Sequence, residues 1–205
     1  MPMEELRRLP RGSHGIPADV VARNQRERLV AAMAEVCAER SFAEASVAAV
    51  AKQAGVSSLT FYEQFADKRD CLLSAHRQLL GRLLEELDRA REAEDDPAAK
   101  VEATVRTALA LFAADPPSAR LLTVEILAAG PEGAKRHGAL VEALGERLRG
   151  GPASAADSPP ARASFAVDWT RAAGILALIG DRVMAGDAAR LPELGDELLA
   201  LVTSP

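Results

Sequence analysis

The sequence predicts an all-α chain of about nine helices, with a three-helix head followed by a larger helical body. Three observations predict it. Of the 205 residues, 48% are hydrophobic but only 3% are aromatic. Alanine and aliphatic side chains must therefore fill the core, and strand formers are scarce. Apolar residues recur at intervals of three and four over long stretches, the period of a helix with one buried face. No stretch alternates polar and apolar residues for the length of a strand, and no segment repeats.

The elements follow in order. Residues 1–18 hold prolines and glycines without a helical period and read as a flexible arm. A first helix over about 19–39 carries Leu29, Val30, Met33, Val36 and Cys37 at helical spacing, with Asp19 near its positive end. Ser41-Phe42 breaks it. A short helix over 45–54 has Ser46 as its N-cap, an apolar face of Val47, Val50, Ala51 and Ala54, and a glycine stop at Gly55. A second short helix over 57–65 starts at Ser57. Asp67 opens a long helix reaching about 91, with Asp70 three residues on in the place of a capping-box acid. Helices near 98–114, 118–129 and 132–149 are separated by Asp115-Pro116-Pro117 and Gly130-Pro131. The segment 150–160, GGPASAADSPP, reads as a flexible linker. Two more helices, about 161–186 and 191–203, complete the chain, with Pro192 in the first turn of the last.

Composition excludes several classes of function. Two cysteines, Cys37 and Cys71, are too few for a disulfide framework, and both sit among apolar helical residues as small hydrophobes. The first ten residues lack the apolar run of a secretory signal. The densest apolar stretch, AAGILALIG at 172–180, is far short of the roughly 20 residues of a membrane span. The expectation is a cytoplasmic protein in a reducing compartment, with no membrane partner. No phosphate-cradling glycine loop, nucleophile elbow or metal cluster occurs, so neither an enzyme nor a cofactor is expected. His76 one turn beyond Cys71 is too little for a metal.

Formal charge is −5. Residues 1–70 hold ten Lys/Arg and ten Asp/Glu, so the acidic excess lies entirely in the body. Within the head the bases cluster, as Arg7, Arg8 and Arg11 in the arm and Arg23, Arg26 and Arg28 on the first helix. Nucleic-acid binding by such a chain would rest on local contacts, with the acidic body turned away.

The informative stretch is 28–75. Two short helices joined by a tight turn at Gly55-Val56 have the logic of a helix-turn-helix. Val47, Val50, Ala51 and Ala54 face Val56, Phe61 and Phe65, and the small alanines permit close approach. The second helix then projects as a rigid rod whose outward residues are Ser57, Ser58, Leu59, Thr60, Tyr62 and Gln64. These suit base edges, thymine methyls and phosphates.

This stretch resembles the TetR family of bacterial regulators. The resemblance rests on Ser46-Val47, Val50-Ala51, Ala54-Gly55-Val56-Ser57, Thr60-Phe61-Tyr62, Phe65, Lys68 and Leu72-Leu73, all in register, and covers about a quarter of the chain. It implies a helix-turn-helix DNA-binding domain over 19–66 and a ligand-binding and dimerisation domain over 67–205. It implies that Tyr62 and Lys68 reach phosphates, that Ser46 caps its helix and touches the DNA backbone, and that Ser58, Leu59 and Thr60 face the bases. Ser57 and Gln64 belong to the same surface. Leu59 departs from the small residue many members carry there and offers a methyl-type contact to thymine. The arginines of the arm could enter a minor groove.

In the body, Glu125 interrupts LLTVEILAA and reads first as a solvated position on an amphipathic helix, with a polar contact in a pocket as the alternative. Trp169 reads as core or interface. His76, Phe112, Leu122, Glu125 and Trp169 are the candidate lining of a ligand pocket. The helix at 161–186 is more apolar than one neighbour could cover, so it and the helix at 191–203 are expected to form a symmetric homodimer interface. The resemblance implies a repressor on a roughly palindromic operator in double-stranded DNA, released when a small apolar or amphipathic effector changes the tilt of the long helix at 68–91. The alternative is a ligand-independent DNA organiser or adaptor with the same head and a filled body.

Overall fold

The computed structural model describes residues 17–149 and 162–203. Residues 1–16 of the expected arm and the linker at 150–160 lie outside them. Among the described residues the chain forms α-helices and short 3-10 segments, with no strand.

The head is α1 (Ala18–Glu44), α2 (Val47–Ala54) and α3 (Ser58–Gln64). α1 is not one rod: Ser41 sits at φ 73° and ψ 158°, which kinks its last turn. That region is nearly confined to glycine, since a Cβ there crowds the backbone. α2 starts at Ser46, whose hydroxyl accepts the Ala49 N–H, and ends at Gly55 in the left-handed conformation, φ 65°. α3 starts at Ser57, whose hydroxyl accepts the Thr60 N–H. α4 (Lys68–Glu92) opens with both acids its sequence offered. Asp67 accepts the Asp70 N–H at 2.8 Å, and Asp70 reaches back to the Ala66 N–H at 3.1 Å.

The body continues as α5 (Pro97–Ala114), α6 (Pro116–Thr123), α7 (Pro131–Leu148), α8 (Arg162–Met184) and α9 (Gly195–Thr203). Two expected helices are divided. The stretch 118–129 becomes α6 followed by a 3-10 segment, Glu125–Ala129. The stretch 191–203 becomes a 3-10 segment, Ala188–Leu194, followed by α9, so Pro192 lies inside the 3-10 turn rather than opening the α-helix. The apolar residues form two clusters. One takes Leu29, Met33, Phe61, Phe65 and Leu72 from the head and α4, and recruits Leu121, Ile126 and Ala129 from the body. The other, with Leu87, Leu109, Phe112, Leu122, Leu140, Leu176 and Ile179, lies wholly in the body and α4. The head therefore finishes its core with body residues, and α4 runs through both clusters.

Candidate nucleic-acid interface

α3 is fixed from beneath. Phe61 is fully buried and Phe65 nearly so, so both are core, and their rings pack 5.6 Å apart. Burying two such side chains is worth roughly 3–6 kcal/mol, which anchors a seven-residue helix too short to hold itself. Val50, Ala51 and Ala54 of α2 are buried against them, with Val47 and Val56 half-buried at the rim.

Outward, α3 presents what its sequence listed in order. Ser57, Ser58, Leu59 and Tyr62 are exposed; Thr60 and Gln64 are half-buried. Leu59 is 71% exposed and Tyr62 59%, side by side on the outer face of the helix. Ser46 is also exposed. Ser46 and Ser57 spend an oxygen lone pair on their caps, yet a hydroxyl that accepts still has a proton to donate to a phosphate oxygen. The Ser57 and Thr60 hydroxyls lie 3.0 Å apart, so one of their two protons is spent between them and the other stays free to donate.

The cations are arranged differently from the sequence expectation. Arg26 donates to the Gln64 carbonyl at 2.6 Å and to Ser74 Oγ at 3.2 Å, and stacks 4.1 Å from the Phe65 ring centre. Arg28 is buried and donates to the Ala54 carbonyl. Two members of the basic cluster on α1 thus cap the negative ends of α3 and α2. Lys68 is corrected likewise. Its Nζ donates to the carbonyls of Phe42 (3.0 Å), Ala43 (3.1 Å) and Ala45 (2.8 Å), and sits 4.8 Å from the Phe42 ring centre. Three protons for three carbonyls leave none for a phosphate. Arg23, Lys52 and Arg69 are exposed cations of the head and the start of α4. Lys52 and Arg69 went unnoticed in the sequence because only their flanking of α3 distinguishes them.

Of the five candidate pocket residues, Trp169 alone borders the recess between α7 and α8. Phe112 and Leu122 are packed in the body core. Glu125 is not solvated: it is 5% exposed, its Oε1 accepts from Arg120 Nε at 2.8 Å, and its Oε2 accepts from the Phe42 N–H at 2.7 Å. Trp169 is 42% exposed rather than core. It borders an open recess of about 200 Å³ between α7 and α8, with Glu142, Gly145, Glu146, Arg149, Phe165 and Asp168. His76 is 1% exposed and neither ring nitrogen has a partner; Nδ1 of His137 is also buried and unpaired. Burial first, then the Arg136 and His137 charges, push the His76 imidazole down to about 4. Burial lowers His137 too, against a partial pull upward from the Leu122 carbonyl. Burial pushes the Cys37 thiol up to about 12 and raises Cys71 as well, which makes both inert as nucleophiles. Among the described residues no three His, Cys, Asp or Glu side chains gather to hold a metal, and no helix is long and apolar enough to cross a membrane.

Residues 29–75 match the family model of bacterial regulatory proteins, tetR family. The chain is 40% identical over 82 residues to the HTH-type transcriptional regulator BetI of Stenotrophomonas maltophilia, covering 40% of this chain and 42% of that protein. It is 34% identical over 84 residues to the fatty acid metabolism regulator protein of Bacillus subtilis, covering 41% and 39%. These matches take in about two fifths of each curated relative. Similar solved structures span most of the chain. The fatty acid degradation regulator FadR of Bacillus halodurans aligns with a TM-score of 0.75 at 20% identity, over 88% of this chain and 95% of that one. FadR of Bacillus subtilis, solved with stearoyl-CoA, aligns at 0.71 and 22%, over 86% and 97%. At such identities the likeness is one of fold.

Proposed function

We propose that this chain, which by its head belongs to the tetR family of bacterial regulatory proteins, is a sequence-specific DNA-binding transcriptional regulator, a repressor released by a small-molecule ligand. The observation that carries the reading is α3 itself. A helix clamped by Phe61 and Phe65 turns Ser57, Ser58, Leu59 and Tyr62 to solvent. An exposed leucine flanked by hydroxyls has no structural use there, and it matches a major-groove edge carrying a thymine methyl. In this reading Ser46 and Tyr62 donate to phosphates, Arg23, Lys52 and Arg69 supply the positive field, and Thr60 and Gln64 complete the surface. The head corresponds to residues 19–66 and the body to 67–205.

A homodimer would set two such helices about 34 Å apart along a palindrome. The support for it lies on α8, where Thr170, Gly174, Ala177, Asp181 and Met184 form an exposed stripe and nothing lies within 4 Å of a Cβ built on Gly174. Small residues let a second copy of the helix approach closely, and Leu201 on α9 is a further exposed apolar side chain.

For the ligand, the relatives named for fatty acid metabolism and the stearoyl-CoA complex support a long-chain acyl compound. The unpaired imidazole of His76 and the unpaired Nδ1 of His137 would meet its polar end. The rival is a regulator with the same head that needs no ligand. One experiment separates the two. Wild-type protein selects duplexes from a random pool, and the selected duplex is challenged with stearoyl-CoA in a gel shift. Enrichment of a palindrome supports the head assignment; release by micromolar acyl-CoA supports the repressor, and undiminished binding supports the rival. A pool without any enriched sequence refutes DNA reading.

A further inference from the structure

Ala38 and Phe42 are four residues apart, and in an unbroken helix the Phe42 N–H would bond the Ala38 carbonyl. The kink at Ser41 turns these two groups apart. Each is then taken up by the same ion pair of the body. Arg120 of α6 donates from its terminal nitrogen to the Ala38 carbonyl at 2.9 Å, and Glu125 accepts the Phe42 N–H at 2.7 Å. The two side chains close the circuit at 2.8 Å. An Arg–Glu pair from the body thus stands in for one broken hydrogen bond of the head. Lys68 holds the carbonyl side of the same turn, so Phe42 is gripped through both its backbone groups.

We propose that Glu125 is a positioning residue for operator binding: with Arg120 it locks the end of α1 to the body and thereby fixes the angle of the head, and with it the half-site spacing the dimer accepts. α1 carries the consequence onward, because Arg28 and Arg26 on the same helix hold the ends of α2 and α3. The pair is nearly dry, with Arg120 and Glu125 side chains 19% and 6% exposed. Removing one partner there leaves the other charge buried and uncompensated, which is costly. An ion pair serving only stability could be replaced by apolar residues at little loss; one that sets an angle could not.

The inference rests on the DNA-binding reading above. The test uses full-length protein, the duplex selected by wild type, and the same duplex with one base pair added or removed at its dyad. Wild type should discriminate sharply among the three. Glu125→Gln keeps the shape and an acceptor but loses the charge. It should bind the native spacing less tightly and lose at least tenfold of the discrimination, while circular dichroism shows an intact fold. Should that variant unfold, Arg120→Met with Glu125→Leu leaves no unpaired charge and should show the same loss. Variants that fold and discriminate as wild type does overturn the proposal alone. Wild type that selects no duplex overturns the reading beneath it as well.

Discussion

Acid should unfold this protein through one imidazole. His76 is buried with both ring nitrogens unpaired, and its folded-state value of about 4 lies well below the 6.5 of an exposed histidine. Between those two values the unfolded chain holds a proton that the folded chain refuses, so lowering the pH favours unfolding. Above about pH 6.5 both states are neutral there and the residue contributes no pH dependence. The loss grows as pH falls through that window and stops growing below about pH 4. At 1.36 kcal/mol per unit, the full shift corresponds to roughly 3 kcal/mol, of which about 2.5 is lost by pH 4.5. His137, lowered in the same direction, adds to it. The assay is urea unfolding followed by circular dichroism at pH 7 and about 4.5, with His76→Leu as the comparison. The variant should be at least as stable as wild type at pH 7, because it removes unpaired polar atoms from an apolar site. It should also lose about 2.5 kcal/mol less on acidification. Parallel losses in the two proteins would refute the assignment.

Further outcomes follow from the backbone and the surface. Ser41→Gly should relieve strain of about 1–3 kcal/mol against an entropic cost of about 0.5–1. The net gain of roughly 1 kcal/mol raises the calorimetric Tm by about 2–4 °C. Ala177→Glu, on the exposed stripe of α8, should convert a dimer to a monomer in light scattering while leaving the helical content unchanged.

What the sequence made legible was local. Ser46, Gly55, Ser57, Asp67 and Asp70 act on neighbours within four residues, and each has the capping or turning part its spacing suggested. Phe61 and Phe65 were readable as core because only apolar residues recur on that face. The charged residues were not readable. Arg26 finds Gln64 across 38 positions, Arg28 finds Ala54 across 26, and Glu125 finds Phe42 across 83. Nothing near a charge in sequence tells whether it meets water or a distant carbonyl. Glu125 looked solvated because its own helix is amphipathic, and Lys68 looked free because its partners lie on the far side of the helix-turn-helix. The apolar residues beneath α3 were thus legible in the sequence, and the partners of the cations were not.

Base reading by α3 is tested most directly by Leu59→Ala on the wild-type-selected duplex and on a set carrying each single base-pair change. If Leu59 meets a base edge, the variant should lose about 1–3 kcal/mol on the native duplex and become indifferent to one position per half-site. Sensitivity elsewhere should be retained. A variant that keeps full affinity and the unchanged pattern of preferences would contradict the account.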